Sequence, residues 1–278
     1  MEKIRSTEQA LWVVACAYAY PAQGLRTRLE ALARKMGVRF QGVIVDNRRS
    51  DLPPDDESWA YVSGSNSDHD FSAYAEGLSR CVEKAGAAPD TILFINDSLF
   101  TLHSAYAHAR EVIAYAGLVR QLVVPALCGK TDPYAAMCHR SPWSGLPFYV
   151  SSFCFLLNRP AFDVLGALSR WADADGLDRS LTVTDPRWGT GLQPNFREFI
   201  RAFVAYGESW FVWPGLKRYA VDDRLISTKA RCIYLEHRLS GEIAREGCLI
   251  PINERTLPRW RLYIAEKIVL LKRKFGLH

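Results

Sequence analysis

The first hundred residues alternate between apolar runs and short polar breaks. Leu11 to Tyr18 is nearly all apolar and is followed by the turn Pro21-Ala22-Gln23-Gly24, which predicts a first buried strand. Leu25, Leu29, Leu32 and Met36 then recur at helical spacing, and Gly37 is placed to cap that helix. Arg39 to Val45 predicts a second strand, stopping at Asp46-Asn47-Arg48-Arg49, before a Pro/Asp-rich loop from Ser50 to Glu57. A short strand over Trp59 to Val62 and the polar loop Gly64 to Asp70 lead into a helix over Phe71 to Ala85. The turn Ala87-Ala88-Pro89 opens a fourth strand, Thr91 to Ser98, apolar at its start and polar at its tip. Phe148 to Leu157 predicts another strand, and residues 160 to 220 turn helical and Trp-rich. This order predicts an α/β fold with a mostly parallel sheet and helices on both faces. Neither an internal repeat nor a low-complexity segment interrupts it.

Composition narrows the class. A chain of 278 residues, 49% hydrophobic and 23% charged, can bury a substantial core. Met1 to Gln9 carries no apolar segment of the secretory kind. The longest apolar runs are interrupted by Arg120 and Gln121 or by Asn158 and Arg159, short of a membrane span. Seven cysteines, with Cys16 and Cys154 in apolar surroundings, suit reduced thiols in a cytoplasm. Cys128 and Cys138-His139 lack zinc-type pair spacing, and His103 and His108 stand five apart, off a common helix face. The expected location is cytoplasmic, with attachment to a membrane surface at most.

The net charge of +5 is concentrated at one end. Residues 259 to 278 hold six basic residues against Glu266 alone, and the remainder balances at 29 basic and 29 acidic. In that tail Trp260, Ile264, Ile268, Leu271 and Phe275 fall on one helical face. The stripe can dock on the domain, or it can lie on anionic lipid, which attracts about 1 kcal/mol per basic residue near the surface. Because the rest of the chain is neutral and has no basic-aromatic groove, nucleic acid is not an expected partner.

Several motif classes are excluded. Gly129-Lys130-Thr131 would end a P-loop, but the upstream glycine position holds Val124. Gly64-Ser65 lies outside a nucleophile elbow, and no G-x-G-x-x-G follows the first strand. What remains is a set of polar strand ends: Asp46 and Asn47, then Asn66 to Asp70, then Asn96, Asp97 and Ser98. In a parallel sheet such ends share one edge, so these groups can meet one ligand. Asx and Ser residues also terminate strands for purely local reasons. Three coincident sets favour a ligand site.

The runs Val43-Ile44-Val45-Asp46-Asn47, Ser63-Gly64-Ser65-Asn66, Asp70 to Leu78 and Ile92-Leu93-Phe94-Ile95-Asn96-Asp97-Ser98 resemble the GT-A glycosyltransferases. The nearest pattern is the rhamnan-synthesis type that builds bacterial O-antigen and capsule, and Tyr149 to Arg159 resembles its acceptor-side strand. The resemblance spans residues 10 to 240 as pattern and spacing. It implies a GT-A, Rossmann-like domain over residues 1–258 with a donor half near 10–125, an acceptor half near 126–258 and a helical C-terminal extension. It implies an inverting hexosyl- or deoxyhexosyltransferase, with a nucleotide-sugar donor and a glycan or lipid-linked acceptor. The basic tail would then hold the enzyme at the inner membrane face.

At those strand ends Asp46 could hold a base or ribose hydroxyl, and Asn96, Asp97 and Ser98 could face a pyrophosphate with its cation, or the sugar; Asn47, Asn66 and Asp70 complete the expected donor-binding set. The family's D-x-D element would hold Mg²⁺ or Mn²⁺, yet this chain has Asn96-Asp97-Ser98, where only Asp97 is acidic. His237 would supply a late metal ligand, as a C-terminal His does in some relatives. Attack by a sugar hydroxyl needs a carboxylate base, and Asp173, Asp175, Asp178 and Asp185 follow the acceptor-side strand. Asp185 is favoured because Trp188 in the same loop could stack on a sugar, with Arg187 and Lys217 as diphosphate partners. Two alternatives stand beside this: a non-catalytic GT-A-like binding module, and a sugar-1-phosphate nucleotidyltransferase. The latter would need a glycine-rich basic loop where Pro21 to Arg26 is poor in glycine.

Overall fold

The computed structural model describes residues 10–48, 51–134, 137–205 and 222–252, with the isolated positions 264, 267 and 271. Lys217 and nearly all of the 259–278 tail lie outside the described residues. The chain divides into two compact units, Met1–Lys130 with Ser151–Phe162, and Thr131–Val150 with Asp163–His278. This differs from the expected halves in one respect: residues 151–162 return to the first unit.

The first unit is the parallel core. β1 (Leu11–Ala17), β2 (Phe40–Asp46), β3 (Trp59–Ser63) and β4 (Thr91–Asn96) are buried almost throughout, as apolar strands covered on both faces must be. β1 pairs in parallel with β2 and β4, and β2 with β3, while β4 meets β6 (Phe148–Asn158) antiparallel. With β5 (Ala126–Pro133) and β7 (Cys248–Ile252), the seven-stranded sheet has the order β3-β2-β1-β4-β6-β5-β7. The result is α/β, with three of the four described pairings parallel.

α1 (Ala22–Met36) packs on β2, and α2 (Asp70–Ala85) packs on β1, β2 and β3. α1 ends where predicted: Gly37 takes the left-handed conformation, φ 69°, and its N–H closes on Ala33 and Arg34 carbonyls. α2 lies close enough to the sheet that a Cβ at Gly77 would stand 2.4 Å from Val14 Cγ1. Above Tyr74 the rings of Phe94 and Phe155 stack with centroids 5.1 Å apart, locking α2, β4 and β6 together. Two boundaries depart from expectation: α1 begins at Ala22, inside the expected turn Pro21 to Gly24, and β4 ends two residues early. β4 stops at Asn96, and Asp97 opens α3 (Ser98–Thr101), so Ser98 is helical. α4 (Ala105–Ala114) and α5 (Ala116–Gln121) follow. The second unit carries α6 (Phe162–Ala174) beyond its first residue, α7 (Pro194–Ala205) and α8 (Asp223–Glu246).

Candidate functional site

Register brings the polar strand ends together. Ala17 lies opposite Asp46, Asp46 opposite Ser63, and Cys16 opposite Asn96, so the carboxyl ends of four parallel strands form one edge. That edge is where open α/β sheets bind ligands.

Asn47, Cys16, Asp70 and Asn96 there are hydrogen-bonded to one another, while Asp46 and Asp97 hold backbone amides. Asp97 is buried, and its Oδ2 accepts the backbone N–H groups of Tyr18 at 2.6 Å, Tyr20 at 3.1 Å and Ala19. Its Oδ1 takes no hydrogen bond among the described residues. Burial pushes the Asp97 carboxyl above the usual range and the charge of Asp70 adds to this, while the three amides oppose both. Asn96 donates from Nδ2 to Asp70 Oδ2 at 2.9 Å and accepts from the Ser98 amide at 3.1 Å and the Ser98 hydroxyl. Asp70 also accepts from Cys16 Sγ at 3.6 Å, and Asn47 Nδ2 reaches Cys16 Sγ at 3.5 Å and the His69 carbonyl at 3.1 Å. Asp46, fully buried, accepts from the Arg48 amide at 2.7 Å and from Ala22 at the start of α1 at 3.4 Å.

Five of the expected residues, Asp46, Asn47, Asp70, Asn96 and Asp97, thus meet at one edge, with Ser98 tied to Asn96. Asn66 sits in the β3–α2 loop with φ 53°, and its Oδ1 and that of Asn47 are buried without a hydrogen-bond partner among the described residues. Orphaned buried acceptors are uncommon in native proteins and often mark function. Gly64 makes room for the Asn47 oxygen, since a Cβ there would lie 2.1 Å from it. Cys16 is a participant the strand-end pattern missed, and His69 lies within the Asn66 to Asp70 loop without having been singled out. His69, also at positive φ (57°), stacks on Tyr18 at 5.2 Å, and its Nδ1 lies 3.2 Å from Asp70 Oδ1. The available signal was position: Cys16 ends a strand one residue from the edge.

The candidates in the second unit are engaged in structure. Asp185 accepts three hydrogen bonds from Arg187, from the amide at 2.8 Å, Nε at 3.1 Å and Nη2 at 2.9 Å. That pairing holds its carboxyl low, at about 2. A general base works best near the operating pH, so the pair describes a turn clasp and not a poised base. Trp188, expected to stack on a sugar, is fully buried and has no face to offer. Asp173 and Asp175, two further base candidates, are tied to α8: Asp173 to Arg231 at 2.9 Å, and Asp175 to the Tyr234 hydroxyl at 2.6 Å. Asp178 closes on the amide and hydroxyl of Ser180, both at 2.8 Å.

His237 is a core residue. Its ring is buried among Tyr149 (centroids 3.8 Å), Tyr134 (4.9 Å), Phe196 (5.3 Å) and Phe199 (5.4 Å), and Nδ1 has no hydrogen-bond partner. Metal-bound histidines usually donate their second nitrogen to a carboxylate or carbonyl, and His237 Nδ1 meets none among the described residues. No family model matches this chain. Nor is any curated protein similar enough to it to count as a relative.

Burial lowers His237 to about 3, with a consequence for stability. The native ring stays neutral while the unfolded chain takes up a proton near pH 6.5. Stability should therefore fall as pH drops from about 6.5 and level off below about 3, with a limiting slope of roughly 1.4 kcal/mol per pH unit. His237→Leu should flatten this component in urea titrations between pH 7 and 5. Equal acid sensitivity in the variant would overturn it.

A divalent cation fits the carboxyl edge only as a shared ion. Asp97 Oδ1 is the one carboxylate oxygen of that residue left over, Asn96 Oδ1 is held by Ser98, and Asp70 is held by Asn96 and Cys16. Hard cations need six or more oxygens, so phosphates of a ligand would have to supply most of them.

Proposed function

We propose that this chain is a GT-A-like glycosyltransferase of the bacterial surface-polysaccharide type, with a nucleotide-sugar donor at the carboxyl edge of β1 to β4. The observation that carries this is the placement of Asp46, Asn47, Asp70, Asn96 and Asp97 at one sheet edge, where Asp70 is hydrogen-bonded to Asn96 and, through Cys16, to Asn47. Asp46 and Asn47 suit donor hydroxyls, because buried acceptors discriminate O–H groups strongly. Asn96, Asp97 and Ser98 suit the diphosphate. A shared Mg²⁺ or Mn²⁺ would neutralise that leaving group, the electrostatic part of such a transfer. Asp97 would hold the cation by Oδ1 while its Oδ2 fixes the loop at Tyr18 to Tyr20. The acceptor would be a glycan or a lipid-linked sugar.

A non-catalytic binding module is favoured by one fact: all four candidate bases are engaged in structural contacts. One experiment separates the two. The full chain is titrated with a panel of nucleotide sugars, with and without Mn²⁺, and donor hydrolysis is followed alongside binding. Turnover that depends on Mn²⁺ supports the transferase. Binding without turnover supports the module. Failure to bind any donor removes both.

Among the described residues no helix is long and apolar enough to cross a membrane. Ile264 and Leu271, the described members of the tail stripe, are exposed, which suits attachment of the tail to anionic lipid at an inner membrane surface. Deleting residues 259–278 should cut binding to anionic vesicles at least tenfold, by the roughly 1 kcal/mol per basic residue. Unchanged vesicle binding would sink that assignment.

A further inference from the structure

A cavity of about 820 Å³ opens in the first unit at the opposite, amino edge of the sheet, where β1, β2 and β4 begin. Its volume falls in the range of small-molecule sites. Three arginines from three separate elements line it: Arg39 before β2, Arg120 on α5 and Arg159 after β6. Among the described lining residues Asp90 is the one acid, and it accepts from Arg159 Nη2 at 2.7 Å. Leu11, Trp12 and Ile113 are among the cavity's apolar lining residues.

The chain beside this cavity presents apolar groups on a fixed scaffold. Leu118 on α5 is 49% exposed, and Val123, two residues beyond the helix, is 90% exposed. Val123 is not a loose tip. The fully buried Asn158 side chain donates to the carbonyls of Leu122 at 2.9 Å and Val124 at 2.8 Å and accepts from Ala126 N at 2.8 Å. A satisfied buried amide thus clamps the residues on both sides of an apolar side chain held in solvent.

We propose that the amino-edge cavity is a second binding site, separate from the carboxyl edge, for an amphiphilic phosphate monoester. The guanidiniums of Arg39, Arg120 and Arg159 match the dianionic phosphate, which planar donors can grip by two oxygens at once. The cavity is far larger than phosphate alone, and Leu11, Trp12 and Ile113 on its wall suit an apolar body carried by the same ligand.

The test is calorimetric, on the full chain, with two probes: inorganic phosphate, and a short-chain phosphatidate kept below its micelle concentration. A monomeric lipid offers no charged surface, so the basic tail does not determine the reading. Arg39→Gln with Arg120→Gln should weaken phosphatidate binding roughly tenfold or more per arginine, the effect of a lost charge-assisted hydrogen bond. Gly117→Phe adds a blocking variant: Gly117 lines the cavity, and a Cβ there would meet nothing within 4 Å. It should abolish phosphatidate binding without unfolding the chain. Arg224→Gln, an exposed arginine on α8, serves as the charge-matched control and should change nothing. Phosphatidate binding alone, or binding of both probes with the same arginine dependence, supports the site; the first marks a lipid headgroup and the second a free phosphate. Binding of neither probe, or binding indifferent to Arg39, Arg120 and Gly117, overturns it. Donor binding at the carboxyl edge should be the same in all variants.

Discussion

Asp97→Ala should lose both stability and donor binding, and Asp97→Asn should separate the two losses. Oδ2 of Asp97 is the shared acceptor for three consecutive amides, Tyr18, Ala19 and Tyr20, which form the turn between β1 and α1. Alanine leaves those donors without their acceptor, and each unmet buried donor costs about 1–3 kcal/mol, less where the amide can reach water. A total near 3 kcal/mol in urea denaturation is expected. Asparagine keeps an oxygen in place but loses the charge, so the stability loss should be about 1 kcal/mol, the difference between charged and neutral hydrogen bonds. The Mn²⁺-dependent part of donor binding should vanish in both variants, because an amide oxygen is a weak ligand for a hard cation.

The pH dependence supplies a second readout. Burial and Asp70 raise the Asp97 carboxyl above its ordinary range, so a cation must displace a proton at mildly acidic pH. Cation-assisted binding should strengthen as pH rises through that raised value, and Asp97→Asn should remove the dependence. If Asp97→Asn binds the donor with the same Mn²⁺ response as the parent chain, Asp97 is a loop clasp only.

This double role was half legible in the sequence. The strands β1 to β4 could be placed because near-continuous apolar runs read as buried parallel strands, and Gly37 marked the end of α1. From those placements the shared edge of Asp46, Asn96 and Asp97 follows, since a parallel sheet aligns its carboxyl ends. The partners of Asp97 could not be read, because its acceptor bonds reach back 77 to 79 residues to main-chain amides whose direction depends on the turn. Ser98 looked like a strand tip because its neighbours are apolar up to Ile95, whereas its hydroxyl and amide both close on Asn96, a local tie that starts a helix. The second unit was less legible. Trp188 in a polar loop gave no periodic signal of burial, and the aromatic cage around His237 draws on four side chains distant in sequence. The clasp between Asp185 and Arg187 is the exception: the two stand two residues apart, and a turn there brings them together.

The largest stability effect in the second unit should come from Arg231. This residue of α8 is 1% exposed, yet it carries a full charge. Nη1 donates to Asp173 Oδ1 at 2.9 Å and to the Leu177 carbonyl at 2.5 Å, and Nη2 donates to Ser169 Oγ at 3.3 Å. One guanidinium therefore joins α8 to the end of α6 and to the chain that leaves it towards Asp178 and Asp185. Arg231→Ala removes a long buried side chain and strands the Leu177 carbonyl, whose residue is itself fully buried. Cavity and unmet acceptor together predict a loss of roughly 3–5 kcal/mol. Arg231→Met restores most of the volume but none of the donors, and Asp173, 59% exposed at its side chain, is left solvated and not buried. Its cost should be about half that of alanine, near the 1–3 kcal/mol of a stranded acceptor. Urea denaturation of both variants checks the order. A loss below about 1 kcal/mol for Arg231→Ala would mean that α8 holds the α6 end by apolar packing alone. Equal losses for alanine and methionine would assign the whole effect to the hydrogen bonds. The graded result expected here makes Arg231 the tie that sets where the segment bearing Asp178 and Asp185 begins.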